Sequence, residues 1–527
     1  MNPQRRLVLF FVLILAFLAS ACNPAPESSE SLSASPSVVT PTPAIPTQTP
    51  SPTPTPTPAI PTPTLFDTTW DDRTPFAAGL VSSAQDALMA HPGASIYHLD
   101  FTISDDLSHV SGKMEVRYTN TEDVALSEVV FRLFPNILDG GMTVSRVAVN
   151  GMPAKTSLEA EDSVLRVVLA APLLPGEQTV ISMTYQVTVP TTVGANYAVL
   201  SFLDDIVALA HAYPMIPAYD DEYGWYTDVP PNYGDVTYSD IAYYLVRVNL
   251  PANQVAQASG VEIDRIEEDG RQTLTFAAGP MRDFYFVSSA RYQVLESRSG
   301  DTLIRAFSPP ERAEANKLAM QYAIDALGVF NRYYGLYPYT EFDIAATPTL
   351  AGGVEYPGIV AIALSLYDPE QQFFEFATAH EVGHQWFYNV VGNDQIHHPW
   401  LDESLTQYNT LLYFKEIYGE AGYEMARNSQ QRRWDYIGDA KIPLDLPVAA
   451  YDESEYSGII YGRGGIFFDE LRKQIGDEAF KRFQKTYYET YQWEIATTAG
   501  LKAVAEEACR CDLTEMFKAW VYPPKTP

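Results

Sequence analysis

The spacing of apolar residues changes once along this chain, near residue 300. From about residue 95 to 297, apolar and polar residues alternate in short runs such as SIYHLDFTIS, GKMEVRYTN and IAYYLVRVNLP, with turn residues between them. A period of two residues is typical of strands with one buried face, and it predicts an all-β domain. From about residue 310, PPERAEANKLAMQYAIDALGVFNRYYG has a helical period instead and predicts a long amphipathic helix that ends at Gly335.

The part that follows is predicted to be rich in helices around a small sheet. FDIAAT and GIVAIAL have the composition of strands. A helix is predicted from about 369 to 391, with Asp368 as its cap and Pro369 in its first turn. Another is predicted over 402–419, and GIFFDELRKQIG and TTAGLKAVAEEACRC add two more. Before the β domain, a short helix is predicted over 74–91 with Thr74 as its N-cap.

The N-terminus has the pattern of an export signal. Arg5 and Arg6 precede an apolar run that is too short to span a membrane comfortably, and small residues then lead to Cys22. A cysteine in that place resembles the lipidated first residue of a bacterial lipoprotein. A plain signal peptide or an uncleaved anchor is the alternative. We therefore expect an extracytoplasmic protein, held on the cell surface through a lipid on Cys22 or secreted.

The domains predicted on these grounds are four. Residues 1–21 are a signal peptide, and 22–65 are a tether rich in Pro, Thr and Ser that cannot form a core. Residues 66–297 form the β domain, and 298–527 form the helix-rich domain. The formal net charge of −32 would repel phosphate backbones, so nucleic acid is excluded as a partner.

The two remaining cysteines, Cys509 and Cys511, are separated by one residue. They cannot make a disulfide framework, and two thiolates alone are a poor zinc site. They are expected to be thiols at the end of a helix or a local disulfide.

Two of the eight histidines lie four residues apart in HEVGH, residues 380 to 384. On an α-helix such residues point the same way, so His380 and His384 can bind one cation. Glu381 is rotated about 100° from His380. It can therefore lie beside a metal without binding it and take a proton from water. The alternative is a pair of surface histidines on a helix.

Catalytic zinc usually takes three protein ligands, so HEVGH leaves the site incomplete. Three candidates follow: His397, His398 and Glu403. If the helix predicted from 402 packs antiparallel to the first, Glu403 in its first turn can reach the metal. The two histidines lie on the connecting loop, where adjacent side chains often diverge. A solvated loop position or a contact with substrate is the alternative for each of them.

The segments HEVGHQW and WLDESLTQY resemble the aminopeptidase N / leukotriene hydrolase family of zinc metallopeptidases. The family pattern is HExxH, eighteen residues and a Glu within WLNEGFA, and the spacing from His384 to Glu403 is the same; Asp402 stands in place of Asn. The resemblance implies one zinc ion per chain, with His380, His384 and Glu403 as ligands and Glu381 as the general base. It also implies a saddle-like or sandwich-like β domain followed along the chain by a thermolysin-like catalytic domain.

A segment before the histidines adds to the resemblance. GGVEYPG resembles the family's GAMEN segment, in which the Glu binds the free α-amino group of the substrate; Glu355 takes that place. The backbone of Gly352 and Gly353 would pair with an extended peptide, as an added strand does. The alternative is a glycine-rich turn with a solvated Glu. The family often takes a second amine-binding residue from the β domain, and Asp220, Asp221 and Glu222 are the candidates here.

A segment after the histidines completes the pattern. IIYGRGG resembles the family's YxKG segment, with Arg463 in place of Lys. Its tyrosine maps to Tyr461, which would donate a hydrogen bond to the oxyanion of the tetrahedral intermediate. Without the motif, a single tyrosine would be assigned to the core or the surface. The chain ends soon after this segment, so we expect it to lack the C-terminal helical domain of longer members.

The sequence as a whole predicts a zinc aminopeptidase that releases N-terminal residues from peptides with a free N-terminus. One alternative is a zinc endopeptidase on the same site, in which Glu355 has only a structural role. The other is a non-catalytic surface protein that kept the fold for binding.

Overall fold

The structure is a computed structural model that describes residues 65–194, 197–220 and 223–523. The predicted signal peptide, the lipidated Cys22 and all of the tether except Leu65 lie outside the described residues. Within the described ranges, no helix combines the length and the apolar character that crossing a bilayer requires.

The strands of the described chain fall into an N-terminal group and a C-terminal group. They are β1 (Ser95–Ile103), β2 (His109–Thr119), β3 (Leu126–Arg132), β4 (Gly141–Val149), β5 (Met152–Pro153), β6 (Lys155–Glu159), β7 (Val164–Leu173), β8 (Gln178–Thr188), β9 (Leu200–Leu203), β10 (Ile206–Leu209), β11 (Tyr219–Asp220), β12 (Gly224–Trp225), β13 (Ala242–Pro251), β14 (Val255–Ala258), β15 (Val261–Glu268), β16 (Arg271–Met281), β17 (Phe286–Ser289), β18 (Gln293–Ser299), β19 (Thr302–Ser308), β20 (Glu341–Thr347), β21 (Gly353–Val354) and β22 (Ile359–Ala363).

The β domain is built on one eight-stranded sheet in the order β15-β16-β13-β1-β2-β8-β4-β5. Its neighbouring strands are antiparallel except β1 and β13, which run parallel. Smaller sheets, β14-β17-β10-β9 and β3-β7-β6, and the hairpin of β11 and β12 complete the domain. Apolar residues at alternate positions, among them Leu99, Val116 and Val246, are fully buried. The predicted all-β domain is confirmed.

The segment before β1 differs from the single helix predicted over 74–91. It consists of 3₁₀ turns at Thr74–Gly79 and Ser82–Ala84 and one α-helical turn, α1, at Ala87–Ala90. Leu80 between them is extended and pairs with Tyr339, a contact that interrupts the helix. Thr74 lies inside the first turn and is not its cap, so this prediction was wrong.

The sheet of the C-terminal domain has five strands in the order β18-β19-β20-β22-β21. The inner strands β19, β20 and β22 are parallel, and β20 and β22 are the predicted FDIAAT and GIVAIAL. The edge strands β18 and β21 are antiparallel to their neighbours. The boundary predicted between residues 297 and 298 falls within β18.

The helices of the C-terminal domain pack around this sheet. They are α2 (Ala313–Tyr333), α3 (Gln372–Gly383), α4 (Glu403–Tyr436), α5 (Glu453–Tyr456), α6 (Gly464–Ile475), α7 (Asp477–Thr490), α8 (Thr498–Cys509) and α9 (Thr514–Trp520), with a π-helical turn at Ser457–Arg463 and 3₁₀ turns at Pro310–Arg312, Leu364–Leu366, Pro399–Leu401 and Val448–Ala450. The β domain has a further 3₁₀ turn at Phe134–Ile137. The sequence missed α7, α9 and the π turn. The predicted fold class, a β domain followed by a helix-rich catalytic domain, is confirmed.

Two of the predicted helices have different ends in the structure. The helix predicted over 369–391 is shorter in the structure, where only α3 is helical. Asp368 and Pro369 lie in a preceding turn, and the chain leaves the helix after Gly383. Tyr388 has a φ of 134°, which no helix accommodates. The helix predicted over 402–419 does end at Gly419, whose φ is 66°, but a second helix follows directly and extends α4 to Tyr436.

At the end of α8, Cys509 and Cys511 form a disulfide with each other. This is the second of the two states expected from the sequence.

Candidate active site

The two histidines of HEVGH lie at the end of α3 and point to the start of α4. The backbone N–H of His384 still donates to the carbonyl of His380, so the helical spacing of four residues is kept although α3 ends at Gly383. Glu403 is the first residue of α4. All three side chains are buried, and His384 has no exposed surface.

The three side chains form a compact triangle of ligand atoms. Nε2 of His380 lies 3.0 Å from Oε2 of Glu403 and 3.1 Å from Nε2 of His384, and the third side, His384 Nε2 to Glu403 Oε2, is 3.4 Å. Ligands of a tetrahedral zinc ion with bonds of about 2.0–2.1 Å are about 3.3 Å apart. The donor set and its spacing therefore fit zinc.

The surroundings of the triangle prepare its ligand atoms for a metal. Nδ1 of His384 lies 3.0 Å from the carbonyl oxygen of Phe387, to which it can donate, so Nε2 keeps its lone pair for a metal. Burial opposes ionisation of Glu403, but the interactions with His380 and His384 outweigh it and hold the pKa of Glu403 below its usual range. The two imidazoles and the ionised carboxylate can therefore bind a cation.

Glu381 lies beside this triangle and not in it. It is buried, and a Cβ placed on Gly353 of β21 would lie 2.4 Å from both its Cγ and its Oε1. Only glycine at that position leaves room for the Glu381 side chain. Burial and the nearby Glu355 raise the pKa of Glu381 well above its usual range, as expected for a carboxylate that takes up and releases a proton.

Tyr461 reaches the same place from the π turn. Its phenol donates to Oε1 of Glu403. The turn lies tightly against α4, because a Cβ on Gly462 would lie 2.9 Å from the backbone nitrogen of Trp434 and one on Gly464 would clash with Ser404. The glycines of IIYGRGG thus allow the close packing that places the phenol, and π turns are often found at functional sites.

Arg463 of the same segment points away from the site. Its guanidinium donates to the backbone carbonyls of Ile442 at 3.0 Å and of Trp520 and Ala519 at the end of α9, at 2.6 and 2.9 Å. Arg463, which replaces the lysine of the family pattern, therefore stabilises the packing of the domain and does not face the site.

Glu355 follows β21 and belongs to a buried polar network. Nε2 of Gln395 donates to Oε1 of Glu355 at 3.2 Å and to Oδ2 of Asp402 at 2.8 Å. Oε1 of Gln395 accepts from the hydroxyl of Thr237, a residue that precedes β13, at 2.9 Å. Burial and the adjacent Glu403 raise the pKa of Asp402 to about 7. Gln395 thus links both domains to the amine-binding candidate, and no motif marked it in the sequence.

The second amine-binding candidate is a residue that the sequence did not single out, Asp235. It lines the same cavity as Glu355, and its Oδ2 is buried without a hydrogen-bond partner among the described residues. Burial, and then the charge of Glu355, raise the pKa of Asp235 well above its usual range. Of the earlier candidates, Asp220 does not line the cavity, and residues 221 and 222 lie outside the described residues.

His397 and His398 are not part of the triangle. Nδ1 of His397 lies 2.6 Å from Asp394, and Nδ1 of His398 lies 2.6 Å from Asp445. Each histidine therefore has its own carboxylate partner on the loop or behind it. The histidine pair is separated from the metal-ligating candidates, which leaves Glu403 as the third one.

Most of the active-site candidates line one cavity of about 490 Å³, and His384 lies buried behind its lining. The residues Gly352 and Gly353 lie on one wall, next to Glu355 and Glu381. The β domain contributes Asp235 and other residues to the lining. The cavity therefore lies where the two domains meet, a common position for substrate sites.

Residues 318–520 match the family described as "Peptidase family M1 domain". The match begins within α2 and ends with α9. The matched range contains the triangle, Glu381, Glu355 and Tyr461, and zinc is the metal that this domain implies.

Known relatives of the M1 domain are aminopeptidases. Aminopeptidase M1-B of Oryza sativa subsp. japonica is 24% identical over 297 residues, which is 53% of this chain and 34% of the relative. Glutamyl aminopeptidase of Homo sapiens is 27% identical over 248 residues, 42% of this chain and 25% of the relative. The chain spans only about a third of the length of the curated relatives that it matches.

Similarity to solved structures extends beyond the residues that match the M1 domain. An M1 zinc metallopeptidase from Deinococcus radiodurans has a TM-score of 0.58 and 20% identity, and it covers 82% of this chain and 95% of its own. A two-domain M1 zinc metallopeptidase variant bound to L-tryptophan has a TM-score of 0.62, also at 20% identity. The two-domain architecture is therefore that of known structures.

Proposed function

We propose that this protein is a zinc-dependent aminopeptidase. The observation that carries the proposal is that two kinds of group line the same cavity. His380 and Glu403 of the metal-ligating triangle, with Glu381, are the first kind, and the carboxylates of Glu355 and Asp235 are the second. The first kind suits hydrolysis of an amide bond, and the second suits recognition of a cationic N-terminus. The aminopeptidase relatives support the same activity.

Zinc at the triangle would supply Lewis-acid chemistry, which lowers the pKa of water and polarises a carbonyl. The residues of the chain have separate roles around it. The carboxylate of Glu381 takes a proton from the attacking water and passes it to the leaving amine. Burial raises the pKa of the Tyr461 phenol well above 10.0, so the phenol stays protonated. It can therefore donate a hydrogen bond to the oxyanion.

The free α-amino group of the substrate would occupy the space between Glu355 and Asp235. Two carboxyl groups that share a buried region repel each other when both are charged, and an ammonium group removes this penalty. An ammonium held at a fixed distance from the metal places the first peptide bond at the reactive groups. The edge strand β21, with Gly352 before it, offers backbone groups to which an extended substrate can pair.

Two other functions use the same residues. A zinc endopeptidase would need no free amine, and Glu355 would then serve only the Gln395 network. A non-catalytic binding protein would keep the fold but would not need the base Glu381. The unpartnered Oδ2 of Asp235 favours the aminopeptidase, because a structural role would provide it with a donor.

The purified protein tests this proposal in two steps. Zinc content is measured first, and hydrolysis of leucyl-arylamide is then compared with that of its N-acetylated form. We expect one zinc per chain and at least about 100-fold faster cleavage of the free-amine substrate. Equal rates for the two substrates would identify an endopeptidase instead. A Glu381→Gln variant that binds zinc and cleaves as fast as wild type would refute the mechanism.

We also propose that the protein works outside the cytoplasm, anchored through Cys22 to the outer face of a bacterial membrane. The proposal is supported by the apolar run and small residues before Cys22 and by the tether that follows. In cells, wild type should fractionate with membranes, and Cys22→Ser should be soluble outside the cytoplasm. Membrane association that is unchanged by Cys22→Ser would contradict lipidation at this residue.

A further inference from the structure

Arg433 is an unusual member of the cavity lining. It lies on the part of α4 beyond the kink at Gly419. Nη1 of its guanidinium donates to the hydroxyl of Ser457 at 3.0 Å, and Cζ lies 5.8 Å from the ring centre of Tyr461. The π turn therefore holds the guanidinium next to the phenol that faces Glu403.

The charge of Arg433 contrasts with the rest of the cavity. Among the described lining residues it is the one arginine or lysine, whereas the carboxylates are Glu161, Asp235, Glu355, Glu381, Glu403 and Glu453. No carboxylate of the described residues forms an ion pair with it within 4.0 Å. Burial lowers the pKa of Arg433 below its usual value, which reflects the cost of removing the guanidinium from water.

A guanidinium in this setting has unused binding capacity. It carries five N–H donors in a planar fork that matches a carboxylate, and the hydroxyl of Ser457 occupies one of them. Arg433 is half-buried, and a partly desolvated cation without an anionic partner is costly. A carboxylate that binds it therefore gains both the new hydrogen bonds and the charge interaction.

We propose that Arg433 binds a carboxylate of the peptide substrate and thereby sets its preferred class. The proposal rests on the aminopeptidase function above. Glu355 and Asp235 hold the N-terminus, whereas Arg433 reaches the cavity from a different element and contacts Tyr461. The carboxylate then belongs to a residue near the scissile bond. It is either the C-terminal carboxylate of a dipeptide or tripeptide, or the side chain of an Asp or Glu.

Matched peptide pairs test the proposal and separate the two sources of the carboxylate. The first pairs are Leu-Ala and Leu-Ala-Ala, each with a free and an amidated C-terminus. The second pairs are Leu-Asp-Ala-amide against Leu-Asn-Ala-amide, and Glu-Ala-amide against Gln-Ala-amide. We expect kcat/KM to favour the carboxylate about tenfold or more in at least one pair. Ratios within about twofold in every pair would overturn the proposal.

Variants assign the preference to Arg433. Arg433→Met should bring the favoured ratio close to one, and Arg433→Lys should keep part of it, since an ammonium retains the charge but not the fork. The matched control is Arg432→Met, which removes the same charge from an exposed neighbour on the same helix. A ratio that Arg433→Met leaves as high as in wild type would also overturn the proposal. If Arg433→Met does not fold, Arg433→Lys and the wild-type ratios decide.

Binding measurements separate this proposal from the proposed activity. Zinc-loaded Glu381→Gln protein should bind Leu-Ala-Ala, or the acidic peptide of the favoured pair, about tenfold more tightly than its neutral partner. If wild type cleaves none of the peptides, the aminopeptidase function fails, while this binding ratio still tests Arg433. If wild type cleaves acid and neutral peptides equally well, the function stands and the role of Arg433 fails.

Discussion

The phenol of Tyr461 donates a hydrogen bond to Oε1 of Glu403, the carboxylate whose other oxygen lies 3.0 Å from Nε2 of His380. One side chain is thus shared between the metal-ligating triangle and the candidate oxyanion donor. The hydrogen bond fixes the phenol beside the metal-ligating triangle, where the proposed mechanism requires an oxyanion donor. Preorganised donors of this kind act on the transition state and have little effect on the ground state.

Tyr461→Phe is expected to lower kcat about 100-fold or more while KM and zinc content stay close to wild type. Steady-state kinetics on leucyl-arylamide and metal analysis measure the three quantities. The matched control is Tyr367→Phe. It removes a buried hydroxyl that lies outside the cavity and has no hydrogen-bond partner among the described residues. A Tyr461→Phe enzyme with wild-type kcat would show that the phenol only supports Glu403.

The assignment of the histidines is tested by zinc content. His380→Gln should lose most of the bound zinc, because two protein ligands remain of three. His397→Gln and His398→Gln should keep one zinc per chain, since each of these histidines pairs with its own aspartate. Loss of zinc from either of the two would place it in the metal site.

Gln395→Leu is expected to raise KM for free-amine substrates about tenfold, because the amide no longer holds Glu355 and the buried Asp402. Since Gln395 acts through Glu355, kcat should change less than KM. The ratio of free-amine to N-acetylated cleavage should fall as well. A loss confined to kcat, with that ratio unchanged, would indicate a general structural role.

The metal-ligating candidates could be predicted from the sequence because local geometry decides most of them. A helix aligns His380 with His384, and the spacing to Glu403 follows from the connection between two adjacent helices. By contrast, the end of α3 depends on contacts distant in sequence. The side chain of Gln385, for example, hydrogen-bonds the backbone of Tyr356 and Gly358 at 3.1 and 2.9 Å.

Asp235, Gln395 and Arg433 could not be predicted, since their roles come from the tertiary structure. Asp235 lies in a loop of the β domain and Gln395 in the loop before α4, and neither has a local pattern. Arg433 faces the cavity only because α4 continues past Gly419 and returns to the π turn. Helical periodicity identifies the faces of an element, but not which neighbour covers them.

The stability of the β domain should depend on pH through His98. This residue is buried on β1 and stacks on Trp70 with 4.2 Å between ring centres, and its Nδ1 has no described hydrogen-bond partner. Burial, with a contribution from Arg117, lowers its pKa to about 4. The folded state therefore binds this proton less readily than the unfolded state does, whose pKa is about 6.5.

It follows that stability falls as pH drops from about 6.5 to about 4, by up to about 3 kcal/mol from this group. His98→Phe keeps the stacking and removes the titration, so its loss of stability over that range should be smaller by this amount. Thermal unfolding at pH 7 and pH 4.5 measures the difference. Parallel acid losses in wild type and variant would mean that His98 is charged in the folded protein.

The closest test of the reactive geometry is Gly353→Ala. The added Cβ would lie 2.4 Å from Cγ and Oε1 of Glu381, so the carboxylate must move away from the place where it takes a proton. We expect kcat to fall about 100-fold or more, as for loss of a general base, while His380, His384 and Glu403 keep their zinc. Glycine at this position is thus required by the neighbouring side chain, since its own φ is not in the left-handed region.

The control for Gly353→Ala is Gly141→Ala in β4, where an added Cβ meets nothing within 4 Å. This variant should have wild-type kcat and thermal stability, which shows that a strand glycine as such is replaceable. If Gly353→Ala retains wild-type kcat, the Glu381 side chain can react from a displaced position, and the contact with β21 does not hold it in place.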